Sequence, residues 1–197
     1  MASVPTVRDR AKADRQSGLL REAARLFADR GFSGVSLEEL GAAVGISGPA
    51  VYRHFAGKQA LLGAILVRVS EGLRDGGRQV VDAGGSASDR LAGLVRFHVD
   101  FALSQSDVIR VQDRELANLV EDDRHTVRRL QREYVETWVA VLAEAHPDAA
   151  ERELRVRAHA CFGLINSTPY SVRGLRDAPD EATVRALLES MALAAIS

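Results

Sequence analysis

The sequence predicts an all-α fold of about nine helices: an N-terminal three-helix domain built on a helix-turn-helix, then a larger helical domain. Three observations carry this. Apolar residues recur at helical spacing along the chain, and no alternating strand pattern or hairpin turn separates them. Capping residues stand where those patterns start, and glycines or prolines where they stop. A segment rich in Gly, Asp and Ser, residues 72–88, interrupts the chain between the two parts.

The elements follow in order. Leu20, Ala23, Ala24, Phe27 and Ala28 form one apolar face, giving a first helix over about 15–30, closed by Gly31. Ser36 and Glu39 make a capping box for a short second helix, in which Leu37, Leu40 and Val44 face inward and which Gly45 ends. Ser47 is placed to cap a third helix, with Pro49 tolerated in its first turn. Val51 and Phe55 are its buried side. A fourth helix starts at Lys58 and runs to about 75. The glycine pairs Gly76-Gly77 and Gly84-Gly85 are read as linker and domain boundary. Five more helices are expected at about 88–104, 106–121, 123–145, 149–173 and 180–195.

Composition narrows the function. At 46% apolar and 27% charged, the chain can bury a core and is not biased toward disorder. No apolar run approaches the roughly 18–20 residues of a membrane span, no secretory signal is evident, and the single cysteine, Cys161, cannot form an internal disulfide. A cytoplasmic protein is expected. Residues 1–58 hold nine Arg/Lys against six Asp/Glu (+3), and residues 59–197 hold 17 against 21 (−4). A basic N-terminal segment on an acidic body suits a partner that is a polyanion. Enzyme chemistry finds little support. His98, His125, His146 and His159 are scattered without metal-ligand spacing, no phosphate loop is present, and Cys161 sits in an apolar run typical of inert core. No catalytic residue, metal or cofactor is predicted. Asp113-Arg114-Glu115 and Asp122-Asp123-Arg124 are read as solvated charges.

Two short helices joined by a tight Gly turn, the second opening on small residues, make a helix-turn-helix over about 36–55. Here the sequence resembles the TetR family. The run from Ala24 to Phe32 is similar to the family's first helix, and Val35 to Leu40 to the start of its second. Val44 to Leu62, with Tyr52-Arg53-His54-Phe55 and Lys58, is similar to its most distinctive segment. The resemblance covers about residues 13–73. It implies a homodimeric, non-enzymatic bacterial regulator that binds double-stranded DNA, associates with the nucleoid when bound, and is most often a repressor released by a small-molecule effector. Ser36 matches a phosphate-contacting hydroxyl. Ser47, Gly48, Pro49 and Ala50 match the first turn of the recognition helix, Tyr52 and His54 match backbone contacts, and Lys58 matches a phosphate-pairing lysine. Arg53 reads a base, pairs a phosphate or faces solvent; arginine's bidentate fit to guanine favours the first. Arg8, Arg10, Lys12 and Arg15 suggest a flexible basic arm.

Residues 88–197 are expected to bind the effector and to dimerise. Phe97, Phe101, Tyr134, Trp138 and Phe162 could wall a pocket, with Arg114, Asn118, His159 and Asn166 as its polar groups; the bland alternative is plain core. Cys161, Leu164 and Ile165, with Val184, Leu187, Leu188, Met191 and Ala195, form apolar stripes suited to a four-helix dimer interface or to a monomer's core. An activator, a ligand-independent regulator or a small helical ligand carrier are the competing readings.

Overall fold

A computed structural model describes the backbone of residues 7–173 and 175–196, and the side chains of that span except at positions 7–15, 48, 170 and 173. Its described residues form nine α-helices, one short 3-10 helix and no strand. They are α1 (Val7–Arg30), α2 (Leu37–Ala43), α3 (Gly48–Tyr52), α4 (Lys58–Asp82), α5 (Ala87–Ser104), α6 (Ser106–Glu115), α7 (Glu121–Ala145), α8 (Glu151–Arg173) and α9 (Glu181–Ile196), with the 3-10 turn at Leu116–Asn118.

The chain divides into two compact units. One holds residues 1–68 and 110–125, the other 69–109 and 126–197. A division at 13–73 and 88–197 therefore differs in one respect: the end of α6, the 3-10 turn and the start of α7 pack with the N-terminal helices. Helices α4, α6 and α7 each contribute residues to both units.

In the first unit, Leu19, Ala23 and Phe27 of α1, Leu37 and Leu40 of α2, Val51, Phe55, and Leu61, Leu62 and Ile65 of α4 are all buried. Each lies on the apolar stripe that its helical period predicts. In the second, α5 packs on α8 and α9, and α8 on α9. Its core joins Leu91, Leu94, Val95, Trp138, Val141, Leu142, Cys161, Ile165, Val184 and Leu188.

Two expectations are corrected. α4 does not end near 75, and Gly76-Gly77 is no linker: the helix runs to Asp82. These glycines are where aromatic side chains lie against the helix backbone. A Cβ on Gly77 would stand 2.6 Å from the Tyr134 ring, and one on Gly76 would overlap Phe97. The loop is confined to residues 83–86, in which Gly84 and Gly85 hold φ angles of 81° and 100° that suit glycine. The basic arm is also not an arm: residues 7–15 are the first turns of α1. The side chains of Arg8, Arg10, Lys12 and Arg15 lie outside the described residues.

Candidate nucleic-acid interface and buried aromatic cluster

The helix-turn-helix is assembled by local signals. The Ser36 hydroxyl accepts from the Glu39 N–H (3.2 Å), and the Ser36 N–H donates to the Glu39 carboxylate (2.8 Å), which also pairs Arg30 (2.9 Å). Those bonds hold the Glu39 carboxyl below its ordinary range, the Ser36 backbone bond most. Gly45 turns the chain at φ 71°, a left-handed conformation. Gly41 lets the two helices meet: a Cβ there would stand 2.7 Å from the Ile46 carbonyl oxygen and 3.1 Å from Val51. Ser47 precedes α3 in extended conformation, but its hydroxyl makes no cap bond.

Val51 and Phe55 are buried, so the residues between them turn outward. Tyr52 is 54% exposed, and Arg53 and His54 are exposed beside it. Ser36, Ser47 and Pro49 are exposed and Ala50 half-buried; Gly48 opens α3, but its exposure lies outside the described residues. The regular helix ends at Tyr52, and Arg53 is its C-cap, still in helical conformation. Arg53 and His54 also line a cleft with Gln16, Leu19, Ile46 and Ala50. Lys58 is more engaged than its sequence position suggests. Its ammonium donates to the Val35 carbonyl (2.9 Å) and stands 4.6 Å over the Phe32 ring.

Sequence reasoning missed Glu115. Read as a solvated charge, it is 8% exposed. One carboxylate oxygen accepts the Phe32 N–H (3.1 Å), at the turn after α1; the other accepts from the Asn118 amide (2.7 Å). Gln59 of α4 donates to the Asn118 carbonyl (3.3 Å). A carboxylate at the end of an amphipathic helix carries no sequence mark of burial, because the Phe32 N–H it accepts lies 83 residues away.

In the second unit the structure brings Phe97, Phe101, Tyr134, Trp138, Phe162 and Asn166 together around His98. The imidazole lies 4.7 Å from Phe162, 5.7 Å from Tyr134, 5.8 Å from Phe101 and 6.1 Å from Trp138, centroid to centroid. Phe97 meets Tyr134 edge-on, 6.4 Å away. His98 Nδ1 is 3.1 Å from the Tyr134 hydroxyl. Burial pushes the His98 pKa down to about 4, with the Asn166 amide opposing it, and pushes the Tyr134 pKa up. His98 is therefore neutral at pH 7. His159 is exposed, edge-on to Phe162 at 6.2 Å. Arg114 and Asn118 fall in the first unit and do not join the cluster. The period of α5 could have shown His98 on the buried face with Leu91, Leu94, Val95 and Ala102. Cys161 is buried core, and burial pushes its thiol up to about 11.

The stripes on α8 and α9 divide. Cys161, Ile165, Val184 and Leu188 are buried within the protomer, whereas Leu187 (54%), Met191 (52%) and Val156 (66%) are exposed. Val156, Ala160 and Gly163 continue one exposed edge of α8 at helical spacing. Among the described residues no helix is long and apolar enough to cross a membrane, and no group of His, Cys, Asp and Glu could hold a metal.

Fold and site together define a helix-turn-helix DNA-binding protein with a separate helical domain. Residues 19–65 match the family model of bacterial regulatory proteins of the tetR family, and residues 84–190 that of the tetracyclin repressor-like C-terminal domain. The chain belongs to the TetR family and is a DNA-binding transcriptional regulator. It is 28% identical over 160 residues to the HTH-type transcriptional repressor KstR2 of Rhodococcus jostii, covering 81% of this chain and 78% of that one. To the HTH-type transcriptional activator FasR of Mycolicibacterium smegmatis it is 32% identical over 98 residues, half of this chain and 45% of that one. Among solved structures it resembles AibR in complex with isovaleryl coenzyme A and operator DNA, with a TM-score of 0.73, 20% identity, and 90% of this chain and 97% of that one covered.

Proposed function

We propose that this protein is a dimeric repressor, without enzymatic activity, that holds a palindromic operator in the bacterial cytoplasm and leaves it when an effector binds. One observation carries the DNA side: Tyr52, Arg53 and His54 stand exposed directly between the buried anchors Val51 and Phe55. Ser47, Gly48, Pro49 and Ala50 form the turn that enters the major groove. Arg53 reads a base edge; Ser36, Tyr52, His54 and Lys58 meet phosphates. Residues 13–73 make the DNA-binding domain and 88–197 the effector and dimer domain, with 110–125 packed against the former.

Two copies meet through the exposed edges of α8 and α9, where Val156, Leu187 and Met191 leave apolar surface uncovered and Ala160 and Gly163 allow close approach. A two-fold dimer sets its recognition helices about 34–36 Å apart, one turn of DNA. The effector lies against the aromatic cluster around His98. A preference of ~100-fold, about 2.7 kcal/mol, for a form with wrongly spaced recognition helices empties a marginally held operator. Helices α4, α6 and α7, which serve both units, are the levers, and Glu115 ties the α6 end to the turn after α1. KstR2, a repressor, supports the repressor reading. AibR, solved with a coenzyme A thioester and operator DNA, supports an effector.

FasR, an activator, keeps activation as a second reading. Footprinting of the DNA upstream of the protein's own gene at two salt concentrations tests both. A protected palindrome overlapping the promoter, with a steep salt slope, is expected. Protection upstream of the promoter, with increased transcription, would replace repression by activation. No salt-sensitive protection of any DNA would remove the regulator reading at this locus.

A further inference from the structure

Helices α4 and α7 carry a second feature on their outer side. Arg129, Arg132, Glu133 and Glu136 recur at helical spacing along one face of α7, and Arg78 of α4 reaches them. With Thr137 they line a groove of about 550 Å³, all within the second unit. Tyr134 and Trp138, their neighbours on α7, turn inward and are buried.

The charges in this groove do not balance. Glu133 alone answers two half-exposed guanidinium groups: Arg129 donates to one carboxylate oxygen (2.7 Å) and Arg78 to the other (3.1 Å). Arg74 stands 3.9 Å away as well, but Asp75 holds it at 2.7 Å. These arginines, Arg129 first, hold the Glu133 carboxyl below its ordinary range. Glu136 is committed to Arg155 of α8, which also pairs Glu151 in that helix's first turn. Arg132 is exposed and makes no ion pair or hydrogen bond. Three arginines against one uncommitted carboxylate leave an excess of two positive charges. They do so within residues 59–197, whose own balance is −4. A long polyanion laid here would also meet that acidic surface, whereas a small anion would not.

The occupant must bring about two negative charges in a compact group with several acceptor oxygens. A phosphoryl group does: near neutral pH it carries roughly −1.5 to −2, and its three oxygens pair well with guanidinium forks. A carboxylate brings one charge, which Glu133 already supplies. Thr137 spends its proton on the Glu133 carbonyl (3.0 Å), so recognition falls to the arginines.

We propose that the groove formed by α4 and α7 is an anion site that binds the phosphoryl or diphosphate group of a small molecule through Arg78, Arg129 and Arg132. It is separate from the effector position against the aromatic cluster and does not rest on that reading.

The full-length protein is titrated calorimetrically with inorganic pyrophosphate, ADP and adenosine, without added metal. Saturable binding of both phosphates is expected, weakening as salt rises, with none of adenosine. Tighter binding of ADP assigns the site to an organic phosphate; equal or weaker binding assigns it to the free anion. Arg132→Gln and Arg78→Gln should each weaken binding about tenfold, the loss of a charge-assisted hydrogen bond. Glu133→Gln, which removes the competing carboxylate, should tighten it. Arg176→Gln removes an equal charge from the exposed loop after α8 and should bind as the parent does, which separates a site from net charge. Circular dichroism confirms that each variant is folded. No saturable binding of either phosphate, an equal loss in Arg176→Gln, or Arg132→Gln and Arg78→Gln proteins that bind like the parent would overturn the proposal.

Discussion

His98 links burial to pH. Its folded pKa, about 4, lies below the ordinary 6.5 because the site cannot solvate a charge. The unfolded chain therefore takes up a proton first as pH falls, so the native advantage is complete above 6.5 and lost on descending through about 4. The slope is about 1.4 kcal/mol per pH unit, roughly 3 kcal/mol across that window. Urea unfolding from pH 7 to 4 should show this loss, and His98→Phe should flatten it; an unchanged slope would mean that His98 is solvated. At the DNA face, Arg53→Ala is expected to relax preference at one base pair with little change for other DNA. Lys58→Ala should weaken all DNA alike and lower the salt slope by about one. Because Lys58 also binds the Val35 carbonyl and covers Phe32, it should cost about 1–2 kcal/mol of stability as well. Competition binding with single-base operator variants, beside urea unfolding, separates these effects. An Arg53→Ala protein with every base preference intact would remove the base-reading role.

Among the elements, α2 and α3 total twelve helical residues and cannot hold their form alone. Their angle is set by Gly41 and Gly45 and by burial of Leu40 and Val51. Gly41→Ala pushes a methyl group against the Ile46 carbonyl, backbone that cannot yield cheaply. The expected result is a loss of about 1–3 kcal/mol and of DNA binding, with α5–α9 intact. Hydrogen exchange should show faster exchange confined to α2 and α3. Protection equal to the parent would show that the close approach is relieved without cost. α4 behaves oppositely. Gly76 and Gly77, in its C-terminal half, cost helix propensity, about 1 kcal/mol each, offset by the aromatic rings that lie against them.

For the whole molecule, the proposed dimer depends on what one chain leaves uncovered. Leu187 and Met191 are more than half exposed on a helix whose other face is core. Leu187→Glu with Met191→Glu should yield a folded monomer by light scattering, with half-site affinity only. A double variant that stays dimeric would move the interface off α9.

Periodicity and caps made the helices and the helix-turn-helix legible, because these are local: Ser36 with Glu39, Gly45, and Val51 with Phe55 act within a few residues. The outward position of Tyr52, Arg53 and His54 follows from the same spacing. The aromatic cluster was half legible. Its rings stood out by type; His98, its centre, was marked only by its place on the buried face of α5, since the residue type alone does not tell solvent from core. Contacts between distant segments settled the remainder. Gly76-Gly77 reads as a break until Phe97 and Tyr134 come to lie on it, and Glu115 reads as solvated until the turn at Phe32 reaches it. The apolar stripes of α8 and α9 could not announce which edge is buried and which is left exposed. Short-range hydrogen bonding and helical period are written in neighbouring residues; burial depends on which distant surfaces meet, and only the folded chain decides that.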